Sequence, residues 1–87
     1  NFIMNKLQLA ENPNTSSETL KKLANDKKWT VRYNVASNSN TPIEALEKLS
    51  NDEDYWVRGA VSLNPNTPEY IQEKFYYDKM IKPCIIF

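Results

Sequence analysis

The sequence holds few groups able to do covalent chemistry. It has no histidine and a single cysteine, Cys84. Imidazole bases, His-containing zinc sets and His-based triads are therefore excluded for this chain, as is an internal disulfide. One glycine, Gly59, leaves nothing from which to build a phosphate-cradling glycine loop. Carboxylates are plentiful, but pairs such as Asp52 and Asp54 look like the charge cluster of a helix start rather than an acid–base couple. No metal, cofactor or catalytic set is expected, and the chain is not expected to be an enzyme. Cys84-Ile85-Ile86-Phe87 fits a C-terminal prenylation box, with Lys79 and Lys82 as a thin basic patch. It would act only in or on a eukaryotic host, and a prenyl anchor at Cys84 is the lesser reading of that stretch.

Two other groups of residues have binding chemistry. Arg32 and Arg58 are able to grip an acidic partner or a phosphate backbone. Each is equally able to pair with a recurring aspartate (Asp26, Asp52 or Asp78) or with helix-end carbonyls, and this structural reading is preferred. Trp29, Tyr33, Tyr55 and Trp56 form an aromatic cluster of the kind that anchors protein contacts. Trp29 and Tyr55 share a repeat position and are expected mainly to pack between repeats. Trp56 corresponds to Thr30, so its position is not kept apolar, and it is the better contact candidate.

The elements that carry these residues follow from an internal repeat. Asn12-Pro13-Asn14-Thr15 returns as Asn38-Ser39-Asn40-Thr41 and as Asn64-Pro65-Asn66-Thr67, 26 residues apart each time. Leu20 and Leu46 keep the same offset, as do Leu23, Leu49 and Phe75; Leu9, Val35 and Val61; Val31 and Val57; Arg32 and Arg58; and Asp26, Asp52 and Asp78. Each repeat reads as two short helices. Thr15, Thr41 or Thr67 is expected to cap the first, with Pro42 at its first position and Ile43, Leu46 and Leu49 on its buried stripe. Asp26 or Asp52 is expected to cap the second, on which Val31 and Val35, or Val57 and Val61, share a face. The Asn-x-Asn segment then ends that helix in a left-handed turn. The paired asparagines are expected to satisfy turn backbone and to stack as a ladder.

Helices this short are marginal alone, so their apolar stripes must be buried against neighbouring repeats. The expected fold is all-α: a short α-solenoid of about three two-helix repeats (12–37, 38–63, 64–87, with a partial repeat at 1–11). A repeat domain over 1–75 would be followed by an apolar tail over 76–87. Tyr76, Tyr77, Met80, Ile81 and Phe87 of that tail are candidates for covering the end of the stack or docking elsewhere.

The stretch from Asp26 to Leu49, which runs D-x-x-x-x-V-R-x-x-V-A-x-N-x-N-T-P-x-E-x-L-x-x-L, resembles the variant leucine-rich repeat, a family grouped with HEAT-like helical repeats. Asp52 to Phe75 repeats it less completely. The resemblance implies a curved stack of paired helices presenting an extended surface, usually to proteins and in some HEAT-like relatives to DNA. One type of variant leucine-rich repeat protein also carries a cysteine-ligated iron–sulfur segment. That feature is not carried over, because Cys84 stands alone.

Charge bounds the partner. Eleven basic and eleven acidic side chains cancel, which argues against a general nucleic-acid binder. Residues 1–50 carry seven basic and five acidic groups, and residues 51–87 four and six. The best basic cluster is Lys21, Lys22, Lys27, Lys28 and Arg32. No apolar run approaches a membrane span, and no secretory signal is visible, so a cytoplasmic protein, or else a virion component, is expected. A protein-binding or scaffolding module within a larger assembly is the leading expectation. A nucleic-acid module using a Lys/Arg row is the alternative. The partner-binding candidates are Tyr55, Trp56, Arg58, Arg32, Trp29 and Tyr33.

Overall fold

The computed structural model describes residues 4–76. Five helices follow in order: α1 (Lys6–Glu11), α2 (Ser17–Leu23), α3 (Trp29–Ser37), α4 (Ile43–Leu49) and α5 (Tyr55–Leu63). Residues 69–76 are helical as well, and no strand occurs among the described residues. The fold is all-helical, as the repeat predicted. The candidates Tyr77, Met80, Ile81, Cys84 and Phe87 lie outside the described residues.

The helices form two layers. In one, α3 packs on α1 and on α5; in the other, α2 meets α4. The first layer is the more closely packed. Its recurring small residues, Ala10 and Ala36, are fully buried and let neighbouring helices approach. The core between the layers is built from the recurring columns. Leu20, Leu46 and Leu49 come from one layer, and Val31, Val35, Val57 and Val61 from the other. Fully burying one such side chain contributes roughly 1.5–3 kcal/mol. Ile43 departs from the expected stripe and is half exposed, because Ala45 takes the inward position in that first turn.

The caps differ from the sequence expectation in a consistent way. Thr15, Thr41 and Thr67 do not cap the helices that follow them. Each is buried and donates a 2.6 Å hydrogen bond back to the carbonyl of Leu9, Val35 or Val61, in the last turn of the helix before it. The N-caps are instead Ser16, whose hydroxyl accepts from the Thr19 amide, and Pro42, which stands outside α4 rather than at its first position. Asp26 and Asp52 are likewise not caps. Lys28 and Asp54 hold those positions. Asp26 and Asp52 accept the amide two residues on, at 2.9 Å in both cases. Each carboxylate thereby shapes the turn and keeps an oxygen free for a cation.

The asparagines do form a ladder, but not through a left-handed turn. No residue of the described chain has positive φ. Asn38 and Asn64 are buried and extended, with φ/ψ of −77°/129° and −72°/127°. The Asn38 Nδ2 donates to the carbonyls of Ala10 and Asn12 at 2.8 and 2.9 Å. The Asn64 Nδ2 donates to those of Ala36 and Asn38, both at 2.8 Å. A helix leaves its last carbonyls unpaired. Here the threonine six residues on takes one and an asparagine 28 residues on takes another. Side chains thus do what an αL glycine usually does at a helix end, which accounts for a repeat protein with almost no glycine.

Candidate functional site

Arg32 is held inside the molecule. Its Nε and Nη2 donate to Asp52 at 2.7 and 3.1 Å, and its Nη1 to the carbonyls of Asp26 and Lys27. The two side chains are only 11% and 8% exposed. The Asp52 hydrogen bond raises the guanidinium pKa above its ordinary value, so the charge persists at any physiological pH. Arg58 repeats part of this arrangement, with Nη1 donating to the Asp52 carbonyl at 2.6 Å and the guanidinium lying 5.8 Å from the Tyr55 ring centroid. Lys6 belongs to the same column, 26 residues before Arg32, and its Nζ lies 3.0 Å from Asp26 Oδ2. The sequence signal for Lys6 was the offset itself. Lys6 and Arg32 are thus spent on joining successive repeats, whereas Arg58 contacts its own repeat.

The aromatic candidates are brought together differently. Trp29 meets Tyr33 edge-on at 6.1 Å, and Tyr55 meets Trp56 at 5.8 Å. Tyr55 also packs on Phe75 at 5.7 Å. Their packing is one-sided: Trp29, Tyr33 and Tyr55 all keep substantial exposed surface, and Trp56 is 63% exposed. Tyr76, the one described residue of the expected tail, is exposed too.

Tyr33, Tyr55, Trp56, Leu63 and Phe75 line an open, largely apolar groove of about 280 Å³ together with Gly59, Ala60 and Ser62. Of these, Leu63, Gly59, Ala60 and Phe75 were not singled out from the sequence as contact residues. The columns carried the signal. Positions 30, 34 and 37 of α3 are Thr, Asn and Ser; their counterparts in α5 are Trp56, Ala60 and Leu63. Gly59 stands where α1 and α3 have Leu7 and Tyr33. The Phe75 ring packs over the bare position, 3.6 Å from where a Cβ would stand. Leu63 is 84% exposed.

The family model of the leucine rich repeat variant matches residues 29–54. That segment is similar to a leucine rich repeat variant unit. It runs from the start of α3 through α4 to the cap of α5, one full period of the repeat. No curated protein and no solved structure matched the chain. Within the matched segment Arg32, Asp52, Asn38 and Thr41 make hydrogen bonds within and between repeats. Among the described residues there is no cluster of three or more metal-ligating side chains, and no helix is long and apolar enough to cross a membrane.

Proposed function

We propose that this chain is a protein-binding repeat module, not an enzyme, and that its contact surface is the outward face of α5 around Trp56 and Leu63. The observation that carries the reading is the replacement of polar α3 residues by exposed apolar ones at the same repeat positions. Packing is satisfied without them, since the shared columns already supply the core and the ladder. Large apolar side chains left in water at positions the fold does not need are the usual mark of a contact surface. Fold alone would not license this conclusion, because repeat folds host many functions.

Tyr55 and Tyr33 line the same groove, and Trp29 packs edge-on against Tyr33. Arg58 positions Tyr55, and Arg32 holds the repeats together. The nucleic-acid alternative is weaker, since Lys6 and Arg32 are neutralised internally by Asp26 and Asp52, which breaks a continuous phosphate track.

The test is a variant that gives α5 the residues of α3, Trp56→Thr with Leu63→Ser. Partners would be captured with the wild type, identified, purified and titrated against both forms. The expected result is a folded variant, by circular dichroism and melting, with affinity reduced at least about tenfold. Equal affinity for both forms would remove the α5 face as the contact surface.

A further inference from the structure

We propose that the lysine-lined hollow where α2 gives way to α3 takes a short acidic segment of a partner protein. The hollow measures about 520 Å³ and is lined by Lys6, Lys22, Lys27 and Lys28 together with Asn25 and Asp26. All of these lysines are exposed. The one carboxylate among the lining residues is already satisfied. Asp26 accepts the Lys28 amide through Oδ1 at 2.9 Å and pairs with Lys6 through Oδ2 at 3.0 Å. Among the described residues Lys22, Lys27 and Lys28 are in no ion pair. Like charges around one hollow repel one another, and an incoming anion relieves that repulsion.

The repeat separates the cations that serve the fold from those that do not. Lys22 recurs as Lys48, in the last turn of α2 and of α4, where a cation suits the helix dipole. Lys27 and Lys28 do not recur, and Glu53 and Asp54 stand in their places. The backbone at Lys28 and Asp54 is nearly the same, with φ/ψ of −83°/125° and −91°/127°. Asp54 caps α5 by accepting the Trp56 and Val57 amides at 2.8 and 3.2 Å, whereas α3 has no side-chain cap. A lysine at position 28 thus forgoes a capping bond that the next repeat makes. The charge reversal also bounds the ligand. The corresponding hollow of the next repeat is lined by Asp52 and Glu53 as well as Arg32 and Lys48, so the cationic surface ends within one repeat. A nucleic-acid backbone following the stack would run from cations onto carboxylates. A run of Asp or Glu confined to one repeat would not. The hollow shares no lining residue with the α5 groove, and the inference does not depend on the reading of α5.

The probe is a short oligo-glutamate peptide blocked at both ends, set beside its oligo-lysine counterpart and an oligothymidylate of equal charge. Binding would be followed by amide chemical shifts. The glutamate peptide should bind with shifts centred on residues 22–31, weaken as salt rises, and bind far better than the lysine peptide. The deciding variant gives the first repeat the residues of the second, Lys27→Glu with Lys28→Asp. It should melt at or above the wild-type temperature, because α3 gains a cap, and lose at least about tenfold in affinity. Lys27→Gln alone, an exposed change that leaves the cap position untouched, should weaken binding by roughly threefold. The Trp56→Thr/Leu63→Ser form should bind the peptide as the wild type does. The proposal is overturned by no binding of the glutamate peptide, by equal binding to the folded Lys27→Glu/Lys28→Asp form, or by tighter binding of the oligothymidylate at the same residues. It is overturned too by loss of binding in the Trp56→Thr/Leu63→Ser form, which would put the peptide on α5.

Discussion

Helices α3 and α5 occupy the same place in successive repeats, and both are nine residues long. Both bury a valine pair four residues apart, both end at a buried asparagine, and both send an arginine to the preceding turn. They diverge on the side that faces away from the core. There α3 carries Thr30, Tyr33 and Ser37, and α5 carries Trp56, Gly59 and Leu63, while the half-buried Asn34 gives way to the buried Ala60. Asn34 uses its amide on the Leu7 carbonyl of α1, a bond between repeats; Ala60 has no such group to offer. What the two helices share is what stacking demands, and at the exposed positions where they differ, Trp56 and Leu63, stacking has no say. In a repeat protein the broken columns, not the kept ones, point to the surface that acts.

If the shared columns are structural, damage to them should be equal in the two repeats. Asn38→Ala and Asn64→Ala should each cost about 3 kcal/mol in urea denaturation, because each strands two carbonyls in the interior. Asn12→Ala should cost far less, since among the described residues its Nδ2 donates only to the Met4 sulfur, at 3.5 Å, in place of a carbonyl pair. A large gap between the two internal asparagines would break the equivalence of α3 and α5. Next in size, Arg32→Met should destabilise by about 2 kcal/mol, chiefly by leaving Asp52 unpaired at a largely buried site. Combining it with Asp52→Asn should recover part of that loss.

The unshared column gives a smaller effect of opposite sign. Gly59→Ala should stabilise by about 0.5–1 kcal/mol, since a helix-interior glycine costs backbone entropy and the added Cβ has room. Destabilisation instead would mean that Gly59 is required by packing and that the groove beside it is incidental. The smallest effect concerns Asp26. The Lys28 amide and then the Lys6 ammonium hold its pKa below the ordinary 3.8. A depressed carboxylate stabilises the fold above its unfolded pKa and loses that contribution as pH falls through the folded value. The stability difference between wild type and Asp26→Asn should thus be constant near neutral pH and shrink below about pH 4. A difference that is flat down to acid unfolding would remove the Lys6–Asp26 link from the column.

Much of this was legible in the sequence because a repeat tests itself. Leu20 with Leu46, and Val31 with Val57, identified the core without reference to coordinates. Trp56 was marked as a contact residue by its mismatch with Thr30. The same comparison at Ala60, Leu63 and Gly59 would have outlined the groove, but a small or missing side chain gives no apolar signal of its own. The threonines were misassigned because a hydroxyl beside a turn can cap the helix after it or the helix before it, and the two leave the same spacing.

The sequence by itself determined the period, the two-helix unit, the buried columns and the absence of imidazole or disulfide chemistry. Those follow from local spacing and side-chain type. Tertiary structure decided where the hydrogen bonds go. Only once repeats are stacked does the Asn64 amide reach the Ala36 carbonyl, the Arg32 guanidinium reach Asp52, or the bare position at Gly59 come to lie between Tyr33 and Phe75. Each joins residues from different helices, and no local pattern encodes the distance between them.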